Sequence, residues 1–146
     1  MCLHVCVVNK DSPMSDATRG FRGTPIRVLL VDDQDLYREG LRTLLSTRPD
    51  LEVVGEAGNG EEALRLAAAL QPDVVLMDLR MPVMDGATTT HRLLGQRPTC
   101  RVIMLSTFDD ADSRAQGLNA GATSYLLKDT SLEDLVKAIR AAVCAA

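Results

Sequence analysis

Five short apolar segments alternate with segments of helical periodicity from residue 26 almost to the end of the chain. The apolar runs are nearly continuous, which is typical of strands that are covered on both faces. When a helix separates two consecutive strands, these strands are paired in parallel. The crossover connections then place helices on both sides of the sheet. At 146 residues the chain is too short for an eight-fold barrel. We therefore predict an α/β fold, a (βα)5 doubly wound sheet of five parallel strands at residues 26–31, 51–57, 74–77, 102–105 and 123–127.

The first helix has four apolar residues at helical spacing, which predict the side that is buried. They are Tyr37, Leu41, Leu44 and Leu45, and the segment ends near Pro49 because proline cannot continue a helix. The third helix contains three consecutive threonines, which are poor helix formers.

Polar residues that favour helix N-termini mark where three other helices begin. Asn59 starts the second helix, Asp109 or Asp110 the fourth, and Thr130 or Ser131 the last. The last helix has a clear apolar face, whereas the fourth has only a thin apolar stripe with a glycine nearby. We therefore expect the fourth helix to dock weakly against the sheet. The predicted buried positions are Leu132, Leu135, Val136, Ile139 and Val143 in the last helix and Ala111, Ala115 and Leu118 in the fourth.

Residues 1–25 have no periodicity and contain a tract rich in Ser, Pro, Asp and Gly, so we predict a flexible leader before one domain at 26–146. The chain has neither the charged start of a signal peptide nor the apolar length of a membrane span. The four cysteines are scattered and predict no disulfide framework, as in proteins of a reducing cytosol. The net charge of −4 argues against nonspecific binding to nucleic acid or to acidic membranes. Together these features predict a cytoplasmic protein without a membrane partner.

Polar residues stand at the ends of four of the five predicted strands. Asp32 and Asp33 follow the first strand, Asp78 the third, Ser106 the fourth and Lys128 the fifth. In a doubly wound sheet the carboxyl ends of parallel strands lie on one edge, where ligands bind. Each of these residues, taken alone, is often only a loop residue, a helix cap or a solvated lysine. Their joint placement predicts a functional site at this edge.

Three carboxylates in one site repel one another unless a cation neutralises them. An all-oxygen set of ligands suits a hard divalent cation, and a site that keeps several waters suits Mg²⁺. A carboxylate nucleophile, a hydroxyl, a lysine and a divalent metal are together the groups that phosphoryl transfer requires. The residues at the strand ends therefore indicate phosphoryl transfer with Mg²⁺ as the cofactor.

Four segments around these residues resemble the signature blocks of response-regulator receiver domains, in the same order and spacing: VLLVDDQ, VLMDLRMPVMDG, VIMLST and YLLKD. The resemblance covers residues 26–143. It implies a flavodoxin-like receiver fold and a two-component signalling switch, not an enzyme. It also implies that Asp78 accepts a phosphoryl group from the phosphohistidine of a sensor histidine kinase.

The resemblance further implies a metal site built from four of these positions. Asp33 and Asp78 would bind Mg²⁺ directly, and Asp32 would act largely through water. The backbone carbonyl of Arg80 would be a further ligand.

For the phosphorylated state, the resemblance implies three more roles. Lys128 would pair with a phosphoryl oxygen, the Ser106 hydroxyl would move to bind the phosphate, and Tyr125 would be the aromatic switch whose ring moves with it. Many receivers have a proline after the lysine, preceded by a cis peptide bond, but here Asp129 stands in that place. A cis bond before a residue other than proline is unfavourable, so the geometry of this loop is not carried over.

Residues 38–64 and 125–142 resemble the nitrate-regulator subfamily in particular, in the stretches REGLRTLLSTRPDLEVVGEAGNGEEAL and YLLKDTSLEDLVKAIRAA. Members of this subfamily usually carry a C-terminal helix-turn-helix domain. The resemblance thus implies transcription regulation through a DNA-binding domain that is absent from this chain, which stops at Ala146. Homodimerisation on phosphorylation is a further expectation, with the fourth-helix face or the first and last helices as the surface.

A dinucleotide-binding domain is an alternative interpretation, because Gly58, Gly60 and Ala63 fit the glycine-rich fingerprint between a strand and a helix. The same glycines are also explained by a tight turn with positive φ at Gly58 and Gly60. Glu61 and Glu62 oppose a pyrophosphate at the first turn of the helix.

Three more interpretations rest on different residues. An aspartyl phosphatase needs a second acid two residues after its nucleophile, where this chain has Arg80. A receiver that acts only as an unphosphorylated interaction module would lack one of the site residues, and none is missing. Near the N-terminus, Cys2, His4 and Cys6 alternate as metal ligands do on a strand, but a fourth ligand is not evident.

Overall fold

The computed structural model describes residues 23–144, in which five strands and five helices alternate in the predicted order. The strands are β1 (Ile26–Val31), β2 (Leu51–Ala57), β3 (Val74–Asp78), β4 (Arg101–Ser106) and β5 (Ser124–Leu127). The helices are α1 (Asp35–Leu45), α2 (Gly60–Leu70), α3 (Gly86–Gln96), α4 (Ala111–Asn119) and α5 (Leu132–Cys144). Every predicted strand is confirmed to within one residue at each end.

All five strands pair in parallel, in the order β2–β1–β3–β4–β5. The chain goes from β1 outward to β2 and then returns past β1 to form β3 on its other side. Where the strand order reverses in this way, a crevice opens at the carboxyl ends of the strands. The predicted doubly wound α/β fold is therefore confirmed, and its crevice lies between the ends of β1 and β3.

Side chains of the central strands alternate between two aliphatic cores. In β3, Val75 and Met77 belong to the core that includes residues of α2 and α3, whereas Val74 and Leu76 belong to the core that includes α1 and α5. Because both faces of the sheet are covered, the sequences of the central strands are nearly continuous apolar runs. The predicted buried faces of α1 and α5 are confirmed except at Leu44, which is 48% exposed.

Side-chain caps begin most of the helices where the sequence predicts. Asn59 and Asp110 accept hydrogen bonds from backbone N–H groups in the first turns of α2 and α4, and the Ser131 hydroxyl accepts one from the N–H of Asp134. The threonine-rich α3 also forms. Its Thr89 is fully buried and donates a hydrogen bond to the carbonyl of residue 85 one turn earlier, so tertiary burial overcomes the weak helix propensity.

The helix α4 buries a different side from the one predicted. Ser113 and Gly117 are its buried residues. A Cβ atom at Gly117 would lie only 3.1 Å from Cδ2 of Tyr125, so α4 approaches β5 closely at this glycine. The stripe prediction was wrong because the closeness of this contact, and not hydrophobicity, selects the inner face. The residues that are exposed instead of buried are Ala111, Ala115 and Leu118.

Two of the four cysteines lie among the described residues. Cys100 is a buried free thiol, whereas Cys144 at the end of α5 is disulfide-bonded. The sequence predicted no disulfide framework from the scattered cysteines, and it did not predict the bond at Cys144. Most of the predicted leader, with Cys2, His4 and Cys6, lies outside the described residues. Within residues 23–144, no helix is long and apolar enough to cross a membrane.

Candidate functional site

Three aspartates meet at the carboxyl edge of the sheet. Asp32 and Asp33 follow β1 and Asp78 ends β3, and one carboxylate oxygen of each lies within 4.8 Å of the others. Asp32 and Asp78 are only 4% and 6% exposed, whereas Asp33 is open to solvent. The parallel topology thus brings together acids that are 45 residues apart in sequence, from Asp33 to Asp78 (78 − 33).

The Lys128 side chain reaches these acids from the end of β5. Its Nζ atom lies 2.7 Å from Oδ2 of Asp32 and 3.5 Å from Oδ1 of Asp78. The backbone N–H of Lys128 donates to the carbonyl of Ser106 at 2.8 Å, which ties the end of β5 to the end of β4. The peptide bond between Lys128 and Asp129 is trans, as are the others in the described part of the chain.

The charges at this edge do not balance. Burial, and next the charge of Asp32, raise the pKa of Asp78 to about 7, while Lys128 lowers it and Asp33 raises it. One lysine therefore does not offset three carboxylates. A divalent cation would do so, and three carboxylates of which one is open to water form a donor set that fits a hard ion such as Mg²⁺.

Without metal, the protein should lose stability as the pH rises from about 4 to about 7. The unfolded chain releases the Asp78 proton near the ordinary aspartate pKa of about 3.9, whereas the native state holds it until the pKa of about 7. The native state therefore binds more protons in this window, and the free energy of unfolding falls with rising pH. Three pH units set an upper limit of about 4 kcal/mol, and we expect about 2 kcal/mol because solvent screens part of the charge.

Urea unfolding in EDTA at several pH values across this window measures the effect. The side chain introduced by Asp78→Asn cannot ionise. The free energy of unfolding of this variant, relative to that of the wild type, should therefore increase across the window and stay constant above it. The exposed acid Asp112, replaced by Asn, is the matched control and should track the wild type. A constant difference between Asp78→Asn and the wild type at every pH would contradict the buried, crowded carboxylate.

The hydroxyl of Ser106 and the ring of Tyr125 are connected through Phe108. The Phe108 N–H donates to Oγ of Ser106 at 3.0 Å, and the Phe108 carbonyl accepts a hydrogen bond from the Tyr125 hydroxyl at 2.7 Å. Ser106 is fully buried and Tyr125 nearly so. Phe108 was not predicted as a site residue, although it is one of only four aromatic residues in the chain and follows the strand-end hydroxyl by two positions.

The side chain of Arg80 links the loop after β3 to the start of α4. Its Nη2 donates to Oγ of Ser113 at 3.0 Å, and its guanidinium carbon lies 4.8 Å from the centre of the Phe108 ring. The sequence predicted a role only for the carbonyl of Arg80. A lone arginine in a loop carries no signal that would predict these side-chain contacts.

Two residues at the start of α1 contact Lys128, and neither was predicted to belong to the site. Oε1 of Gln34 accepts a hydrogen bond from Nζ at 3.0 Å, and the ring centre of Tyr37 lies 4.6 Å from the same atom. Burial, followed by the charges of Asp32 and Asp78, raises the pKa of Tyr37 to about 12, so its phenol stays neutral. Because Tyr37 follows the helical spacing of the apolar residues, the sequence predicted it only as a core residue. Its position beside Lys128 was not predicted.

The glycines before α2 do not adopt the positive φ that the turn interpretation predicts. Neither Gly58 nor Gly60 has positive φ, and among the described glycines Gly121 alone does. Close packing requires the glycine at 60 instead, because a Cβ atom there would lie 3.0 Å from Sδ of Met84 and closer still to the Thr89 hydroxyl. The prediction was wrong because it considered only the local backbone and not the contact between α2 and α3.

The N-terminus of α2 is occupied by the chain's own side chains. The Asn59 side chain accepts a hydrogen bond from the N–H of Glu62 at 2.9 Å, and the Glu62 carboxylate accepts one from the N–H of Gly58 at 2.9 Å. A pyrophosphate would need these N–H groups and would face the Glu62 charge. This geometry argues against the dinucleotide-binding interpretation.

Comparisons with known proteins agree with this arrangement. Residues 28–140 match the family model of the response regulator receiver domain. The chain is 46% identical over 114 residues to the transcriptional regulatory protein LnrK of Bacillus subtilis, an alignment that covers 78% of this chain and 52% of that protein. It is 42% identical over 118 residues to the nitrate/nitrite response regulator protein NarL of Escherichia coli, covering 81% of this chain and 55% of that protein. The resemblance to the nitrate-regulator subfamily is thereby confirmed.

A solved structure shows the same fold. The signal receiver domain of the response regulator NarL from Mycobacterium tuberculosis superimposes with a TM-score of 0.81 at 38% identity, over 85% of this chain and 100% of that chain. The chain spans about half the length of the curated relatives it matches.

Proposed function

Because this chain belongs to the response regulator receiver domains, we propose that it is a phosphorylation switch whose acceptor is Asp78. The observation that carries the proposal is the position of this carboxylate. It is nearly buried, ends a central strand, and has two further acids and the Lys128 ammonium beside it. The donor would be the phosphohistidine of a sensor histidine kinase.

Phosphoryl transfer to Asp78 would replace one bond to phosphorus by another. An oxygen of the Asp78 carboxylate forms a bond to phosphorus while the P–N bond to the histidine of the kinase breaks, and the electron pair of that bond goes to the imidazole nitrogen. The Lys128 ammonium, 3.5 Å from Oδ1 of Asp78, is placed to pair with a phosphoryl oxygen. The phosphoryl group then stays on the chain as a signal, so the domain acts as a switch and not as an enzyme.

Magnesium would be the cofactor of this transfer. Asp33 and Asp78 would hold the ion directly and Asp32 largely through water, with the backbone carbonyl of Arg80 as a further ligand. When bound, Mg²⁺ would supply positive charge to the phosphoryl oxygens. The support for these assignments is the uncompensated carboxylate cluster, whose mutual repulsion the chain's own lysine does not remove.

Ser106 and Tyr125 would transmit the change to α4. To bind a phosphate on Asp78, the Ser106 hydroxyl has to turn toward β3, and its contact with the Phe108 N–H would change with it. The backbone carbonyl of Phe108 accepts a hydrogen bond from the Tyr125 hydroxyl, so a shift of Phe108 would also move the Tyr125 ring. The helix α4 buries only Ser113 and Gly117, and such a small contact can be rearranged at low energetic cost.

The output would lie outside the described residues. LnrK is named a transcriptional regulatory protein, and this chain spans about half its length. We therefore propose that phosphorylation controls a DNA-binding domain outside this chain, in the cytoplasm, and promotes homodimerisation. The receiver itself would contact the kinase and a second copy of the chain, and DNA only through the output domain.

Incubation with acetyl phosphate and Mg²⁺ tests the proposal. Intact mass spectrometry should show one phosphate per chain, and chelation of Mg²⁺ should prevent its addition because the carboxylates then remain uncompensated. Hydroxylamine should remove the label, as it does from an acyl phosphate. A chain that binds Mg²⁺ but takes no phosphate would support the interaction-module interpretation, and tight binding of NAD would support the dinucleotide-binding interpretation.

A further inference from the structure

The ammonium group of Lys128 is held by four groups at once. Besides its contacts with Asp32 at 2.7 Å and Asp78 at 3.5 Å, it donates to the Gln34 side chain at 3.0 Å and lies 4.6 Å from the centre of the Tyr37 ring. The lysine side chain is only 8% exposed as a result. Two of the four groups therefore come from the start of α1 and are not part of the proposed acceptor site.

The two kinds of contact differ in what happens when a cation binds. Asp32 is a proposed magnesium ligand, so a bound cation and the Lys128 ammonium compete for the same carboxylate charge. Gln34 and Tyr37 are neutral, and their attraction for Nζ does not depend on that carboxylate. A flexible lysine stabilises charge on a phosphoryl group only if its ammonium is already in place. The neutral contacts would supply this placement while a cation, held largely through water at Asp32, competes for the charge of that carboxylate.

We propose that Tyr37 is a positioning residue for phosphoryl transfer, whose ring face holds the Lys128 ammonium beside Asp78 with the Gln34 amide as a second support. This inference rests on the proposed function. The ring belongs to the first turn of α1, directly after the strand that supplies Asp32, so one short segment carries both the acid and the ring. The attraction arises from the aromatic ring and not from the hydroxyl, so phenylalanine can replace tyrosine here and leucine cannot.

Tyr37 also packs against the core that contains α1 and α5, and this contact has to be separated from its contact with Lys128. A packing role would affect folding and would act independently of the lysine. A positioning role acts through the lysine and disappears when the ammonium is absent. A double-mutant cycle between the two residues distinguishes these cases.

The experiment compares rates of phosphorylation by acetyl phosphate at saturating Mg²⁺. We expect Tyr37→Phe to react within about twofold of the wild type and Tyr37→Leu to react about 3- to 30-fold more slowly, the range of a cation–π contact. Magnesium affinity should stay within about twofold, because neither variant touches a carboxylate. In a Lys128→Met chain, the added Tyr37→Leu substitution should cause no further slowing.

Three results would overturn the inference: a Tyr37→Leu rate equal to the wild type, a Tyr37→Phe rate as slow as that of Tyr37→Leu, or equal slowing by Tyr37→Leu with and without Lys128. If the Lys128→Met chain reacts too slowly to follow, the NMR shifts of the Lys128 Cε protons decide. The ring should shield them in the wild type and in Tyr37→Phe, and the shielding should vanish in Tyr37→Leu; unchanged shifts would overturn the inference. A wild-type chain that takes no phosphate on Asp78 would instead overturn the proposed function, and these shifts would still report whether the ring holds the lysine.

Discussion

Replacement of Asp78 by Asn should slow phosphoryl uptake from acetyl phosphate by at least about a hundredfold, because the amide cannot act as the anionic nucleophile. Asparagine has nearly the same size and should keep the end of β3 in place. Neither oxygen of Asp32 is free to replace the lost nucleophile, since Oδ1 accepts from the Gln34 N–H at 2.8 Å and Oδ2 pairs with Lys128. Asp32 should therefore not compensate for the loss of the Asp78 carboxylate.

Intact mass spectrometry over time, followed by peptide mapping, measures this loss. Asp112→Asn is the control, since Asp112 is an exposed acid at the start of α4 and should leave the rate unchanged. The Asp78→Asn variant should remain folded and, without metal, should be more stable than the wild type above about pH 7, because one of three repelling charges is gone. Undiminished labelling of Asp78→Asn would falsify the assignment of the acceptor.

Replacement of Gly86 by Ala should destabilise the protein by about 3 kcal/mol or more, the upper end of what an overpacked buried site costs. Gly86 is the first residue of α3, and its N–H donates to the carbonyl of Leu79 at 2.7 Å, which closes the loop after β3. A Cβ atom at this position would lie 2.9 Å from the carbonyl carbon of Asp78 and from Cα of Leu79. Both neighbours are backbone atoms, which cannot rotate away as a side chain can.

Urea unfolding provides the measurement, and Gly40→Ala provides the control. Gly40 lies inside α1, and a Cβ atom there would meet nothing within 4 Å, so alanine should stabilise the protein by about 0.5–1 kcal/mol through its helix propensity. The two Gly-to-Ala changes are thus expected to have opposite signs. A loss below about 1 kcal/mol at Gly86 would show that the loop is not packed tightly against the acceptor strand.

Much of the fold could be predicted because the relevant signals are local. A continuous apolar run indicates a strand covered on both faces, and a cap such as Asn59 or Asp110 marks a helix start from its own side chain. The strand-end residues could be predicted for a second reason. Parallel strands carry their carboxyl ends to one edge, so Asp33 and Lys128 converge there whatever the details of packing.

Two of the incorrect predictions concern contacts between different segments of the chain. The inner face of α4 includes Gly117, where Tyr125 lies too close for a larger residue, and no periodicity in α4 reveals that distance. The glycine at 60 serves the contact between α2 and α3 and not the turn in which it lies.

The sequence by itself determined the order of the elements, the parallel sheet and the set of polar residues at its carboxyl edge, because each follows from a pattern of neighbouring residues combined with the handedness of the connections. Only the tertiary structure decided how these residues are paired. It placed Lys128 between Asp32 and the Tyr37 ring, and it joined Ser106 to Tyr125 through the backbone of Phe108. Such contacts depend on distances of a few ångströms between segments far apart in the chain, and those distances arise only when the two cores pack against the sheet.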